Sequence, residues 1–141
     1  MKRSLVYTLA LTAALTIVTA CAKSTNDGPS GKAIASVKIN DLTATLSNSN
    51  GQLKSGEQGV TLAFTDSSGK PVDVGAVSLN FHMPAMGGMS AMNDSVTLTT
   101  TATPGVYTGK VNIGMAGEWQ GQLAYEGPAG KGKATFSVTA R

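Results

Sequence analysis

The sequence predicts an all-β domain, an immunoglobulin-like antiparallel β-sandwich of about seven to eight strands. Three observations predict it. Apolar and polar residues alternate with period two through most of the chain, Gly, Pro, Asp and Ser clusters punctuate the runs, and stretches rich in Leu, Glu and Lys are missing. A small closed barrel is the other arrangement open to the same strands.

The alternation can be followed in order. Leu42, Ala44 and Leu46 fall on one face with Thr43 and Thr45 on the other, and Val60, Leu62 and Phe64 repeat the arrangement before a turn at Asp66-Ser67-Ser68-Gly69. Val77, Leu79 and Phe81 alternate with Ser78, Asn80 and His82. Val96 and Leu98 follow, then Tyr107, Val111 and Ile113 opposite Thr108, Lys110 and Asn112. Trp119, Leu123 and Tyr125 form another inward set, and Phe136 with Val138 the last. Pro104-Gly105 and Gly127-Pro128 mark turns. Without disulfides the domain must rely on its apolar core, with Trp119, Phe64, Phe81, Phe136 and the tyrosines as the large contributors.

The first residues are an export signal rather than part of this domain. Lys2 and Arg3 precede an uncharged apolar run from Leu5 to Val18, followed by small residues and the lone cysteine, Cys21. Val18-Thr19-Ala20-Cys21 resembles the lipobox of bacterial lipoprotein precursors, which implies cleavage after residue 20 and a lipidated Cys21 as the membrane anchor. Lipidation also accounts for a single cysteine in an exported chain. Ala22 stands where an aspartate would signal inner-membrane retention, so in a Gram-negative host the expected location is the outer membrane, facing the periplasm. Residues 21–33 form the lipidated cysteine and a flexible tether of Ser, Asn, Asp, Gly, Pro and Lys, and residues 34–141 form one compact domain.

Charge excludes one class of partner. Lys2 and Arg3 are two of the eleven basic residues, so the mature chain carries nine against eight acidic ones. No basic patch points to nucleic acid. A monomer is expected.

The segment Asn80-Phe81-His82-Met83-Pro84-Ala85-Met86-Gly87-Gly88-Met89-Ser90-Ala91-Met92-Asn93-Asp94 carries the chemistry. Met83, Met86, Met89 and Met92 recur every third residue, and the only histidine, His82, precedes them. Thioether sulfur is soft and polarizable, needs no deprotonation and forms no disulfide in an oxidising compartment. Such donors suit Cu(I) or Ag(I) at low coordination number. Met83, Met86 and Met89 are the expected ligands, with His82 as an optional fourth donor and Met92 as an exchange ligand. Two other roles stay open: packing of Met83 or Met86 at the end of the core, and an apolar docking surface for a partner. His82 can equally be a hydrogen-bonded residue outside any metal site. Met115, beside Gly114 and Gly117, is expected to pack against Trp119.

The stretch from Gly69 to Trp119 resembles the YtkA-like domain family of small extracytoplasmic β-sandwiches. The resemblance rests on Gly69-Lys70-Pro71-Val72 leading to Ala76-Val77, on Met83-Pro84-Ala85-Met86-Gly87, on Pro104-Gly105-Val106-Tyr107 and on Met115-Ala116-Gly117-Glu118-Trp119. It implies the sandwich fold and a role beside heavy-metal efflux or copper handling, and the related FixH-like proteins point to assembly of copper oxidases. Members often carry a histidine shortly after the Met-Pro-x-Met-Gly segment. Met89 follows Gly88 here and the histidine lies before the motif, which favours a thioether Cu(I) site over a histidine-assisted Cu(II) site.

No enzyme is expected. Gly88-Met89-Ser90-Ala91-Met92 begins like a nucleophile elbow but lacks its closing glycine, and no zinc-protease or phosphate-loop motif occurs. The acids Asp27, Asp41, Glu57, Asp66, Asp73, Asp94, Glu118 and Glu126 are scattered, at expected turns and strand edges.

Overall fold

The computed structural model describes residues 31–141. The signal segment, Cys21 and the tether up to residue 30 lie outside the described residues. Period-two alternation becomes eight strands: β1 (Lys32–Ile39), β2 (Leu42–Asn48), β3 (Gly56–Thr65), β4 (Ala76–Met83), β5 (Met92–Thr100), β6 (Val106–Ile113), β7 (Gly117–Gly127) and β8 (Gly130–Ala140). They pair antiparallel in the order β1-β2-β3-β6-β5-β4-β7-β8.

Strand β5 decides the architecture. Its first half, Met92–Val96, pairs with β4, whereas Thr97–Thr100 pair with β6. The strand therefore leaves one layer and enters the other between Val96 and Thr97, and a single eight-stranded sheet folds over on itself. At the far side the connection between β2 and β3 meets the end of β8. Leu53 bridges Ala140, and Arg141 N–H donates to the Leu53 carbonyl at 3.0 Å. The result is a sandwich in its layers and a near-closed barrel in its connectivity, so the two arrangements foreseen from the sequence are both present.

The inward faces are those the alternation predicts. Leu46, Leu62, Phe64, Leu79, Phe81, Val111, Ile113, Trp119 and Leu123 are fully buried. Phe64 meets Tyr107 and Tyr125 edge-on, with ring centroids 6.0 and 5.5 Å apart. Phe81 and Phe136 meet edge-on at 6.4 Å across Gly121, which is the β7 partner of both. A side chain at Gly121 would stand 2.3 Å from the Phe136 ring, so this glycine is what lets two aromatic rings close over the middle strand.

Strand β1 starts at Lys32, inside the segment 21–33 that composition alone assigns to the tether. Lys32 and Ala33 pair with Asn48 and Ser47 of β2, with an irregularity between Ala33 and Ala35. The pairing is made by main-chain groups, which polar composition does not reveal.

Candidate metal centre

The methionine segment folds as the tip of the β4–β5 hairpin rather than as an irregular loop. Met83 pairs with Met92 at the end of the ladder, and beyond it Met86 and Met89 form an isolated antiparallel bridge. Met89 N–H donates to the Met86 carbonyl at 2.9 Å, and Met86 N–H to the Met89 carbonyl at 3.2 Å. Gly87 and Gly88 make the two-residue turn. Gly87 takes φ 56° at the first central position, a left-handed conformation that glycine adopts without strain. The four methionines thus form two cross-strand rungs about one turn.

Spacing then sorts the rungs by face. Side chains alternate along a strand, so an interval of three residues moves from one face to the other. Met83 is 2% exposed and belongs to the core, whereas Met86 is 60% and Met89 44% exposed. Met92, opposite Met83, is half-buried and packs against the same core. The four sulfurs expected to converge are therefore divided into an inner pair and an outer pair. For Met83, the packing role left open by the sequence is the one it takes.

The outer pair is joined through the backbone and open to solvent. Residues that exchange both main-chain hydrogen bonds lie with Cα atoms about 5.5 Å apart and their side chains on one side. Met86 also lines a shallow cleft with Pro84, Glu118, Gln120 and Ser137 on the outward face of β7 and β8. Among the described residues, Met86 and Met89 are the exposed large apolar side chains.

His82 occupies the outward face as well, opposite Gln120 on β7 and Asn93 on β5. Its Nδ1 lies 2.8 Å from Asn93 Oδ1. An amide oxygen there can only accept, so Nδ1 is the donor of this pair. Met86 lies four positions beyond His82, about 13 Å along an extended strand. The imidazole is on the same face as the thioether pair but a step below it.

Neighbouring groups complete the picture. Trp119 Nε1 donates to the Met115 carbonyl at 3.1 Å, and the Met115 side chain packs against the core. Asp94 faces inward opposite Phe81, and burial raises its pKa against the opposing hydrogen bond from the Asn112 backbone. Among the described residues no three His, Cys, Asp or Glu side chains come together as a metal site. Asn93, Glu118 and Gln120 were not foreseen around the site. A two-residue turn at Gly87-Gly88 read from the sequence would have supplied Asn93, because reflection about it pairs residue 82 with 93.

An all-β sheet of this topology, with methionines at one hairpin tip, defines a small β-sandwich domain. A family model described as YtkA-like matches residues 36–124, and the chain belongs to that family. No curated protein and no solved structure matches it.

Proposed function

We propose that this protein is a lipid-anchored extracytoplasmic binder of Cu(I), or of Ag(I) by the same chemistry, which buffers the ion or hands it on and catalyses no reaction. The observation that carries this reading is the Met86–Met89 rung: two soft, uncharged donors held opposite one another and open to solvent. Two thioethers leave the ion's remaining positions free for a donor from a partner, so transfer proceeds by stepwise exchange of weak ligands. Met83 and Met92 support the hairpin from the core side. The export signal and Cys21 support attachment to a membrane, in a Gram-negative host the outer membrane facing the periplasm.

Anaerobic Cu(I) titration of the domain from Ala22 onwards tests this. Saturation near one equivalent is expected, and the double variant Met86→Leu/Met89→Leu should lose it while remaining folded. Undiminished binding by that variant would remove these residues from the site.

The exposure of Met86 and Met89 also favours a second reading. A metal-free module would present the same tip to an efflux or oxidase-assembly complex, using the thioethers as an adaptable apolar contact. Leucine at both positions would preserve that docking and abolish metal binding, so one variant separates the two.

A further inference from the structure

We infer that the Met86–Met89 rung is an oxidation-controlled switch, in which conversion of these two thioethers to sulfoxides by a hydroperoxide turns off binding of a soft ion. The inference rests on the metal-binding reading above and adds its regulation.

The first observation is the contrast of exposure within one hairpin. Met86 and Met89 are 60% and 44% exposed, whereas Met83, on the neighbouring rung, is 2% exposed. Oxidation of methionine follows access to the sulfur. In the reaction the sulfur lone pair attacks the distal peroxide oxygen, the O–O bond breaks and an S–O bond forms. Sulfur loses two electrons, and the proton of the transferred oxygen passes to the departing oxygen, which leaves as an alcohol, or as water when the oxidant is hydrogen peroxide. A compartment that suits thioethers over thiols is also one where such oxidants reach them.

The second observation is that the fold does not depend on the two exposed side chains. The tip is held by the paired main-chain bonds between Met86 and Met89 and by the turn at Gly87-Gly88. A polar sulfoxide at Met83 would enter the core, whereas at Met86 or Met89 it projects into water. Oxidation therefore changes the donor set without unfolding the domain. The sulfoxide presents a hard oxygen and a depleted sulfur, a poor match for Cu(I) or Ag(I). The same exposure leaves the product open to a methionine sulfoxide reductase, which removes the oxygen as water while a dithiol becomes a disulfide.

A bound ion draws electron density from the sulfur and covers it, so it slows attack on peroxide, while the sulfoxide's electron-poor sulfur and hard oxygen are weak ligands for the same ion. The test uses Ag(I) at neutral pH, because peroxide would oxidise Cu(I) to Cu(II) and generate radicals of its own. The domain from Ala22 onwards is treated with hydrogen peroxide with and without Ag(I). Modified methionines are located by peptide mass spectrometry, Ag(I) binding is measured before and after, and Trp119 fluorescence reports the fold. Met86 and Met89 should be oxidised at least about tenfold faster than Met83. Ag(I) should protect both, and the oxidised domain should stay folded and lose binding. Oxidation of Met83 at the same rate, or full Ag(I) binding after both sulfoxides have formed, would overturn the switch and leave the binding site standing. Failure of the unoxidised domain to bind Ag(I) would overturn the binding reading and the switch with it.

Discussion

Gly117 makes the space in which Met83 is buried. A side-chain carbon at Gly117 would stand 2.9 Å from Met83 Cε, and the residue's φ of 142° lies where other amino acids are strained. The start of β7 and the end of β4 are therefore fitted to one another through the inner methionine. Gly117→Ala should cost about 1–3 kcal/mol from contact and backbone strain together. Urea unfolding followed by Trp119 fluorescence measures it, and an unchanged midpoint would show that neither the Met83 contact nor the backbone conformation constrains this position.

Stability should divide the methionines as burial does. Met83→Ala is expected to cost about 2–5 kcal/mol, as for other buried side chains cut back to a methyl group. Met86→Ala and Met89→Ala should each fall within about 0.5 kcal/mol of the parent. Equal losses at all three positions in the same unfolding experiment would contradict the two-rung arrangement.

Gly121→Ala tests the aromatic closure over β7. The new methyl group would meet the Phe136 ring and separate it from Phe81. A loss of about 1–3 kcal/mol is expected, most of it absent when Phe136 is already Leu. A double-mutant cycle reads this coupling, and additive effects would argue against it.

Two carboxylates should shift the acid stability in opposite senses. Burial raises Asp94 from its ordinary value, so the folded state holds its proton more tightly and stability falls as pH rises from that value to the raised one. Asp66 is lowered, chiefly by the Ser68 hydroxyl at 2.6 Å. Its contribution is present above the ordinary range and is lost as pH falls towards the lowered value. Carbon-detected NMR titration should find Asp94 protonating at higher pH than Asp66, and the reverse order would refute both environments.

Much of the fold was legible because alternation is dictated by burial. Leu42, Ala44 and Leu46, Val60, Leu62 and Phe64, and Leu79 and Phe81 face inward as read. Strand β1 escaped notice because its ends pair through main-chain atoms, and the change of layer at Val96–Thr97 because register leaves no local mark. At the site, the residues were legible and their sides were not. With no pairing legible beyond Phe81, the spacing alone does not say on which side each sulfur lies. The Gly87-Gly88 turn extends the strand pairing to Met86 and Met89, and an interval of three then sends the two rungs to opposite faces.

X-ray absorption at the copper edge of the Cu(I)-loaded domain measures the ligands themselves. The account predicts sulfur scattering that survives Met83→Leu and disappears in Met86→Leu/Met89→Leu. Sulfur scattering that is lost with Met83→Leu, or that persists when both exposed methionines are leucine, would contradict it.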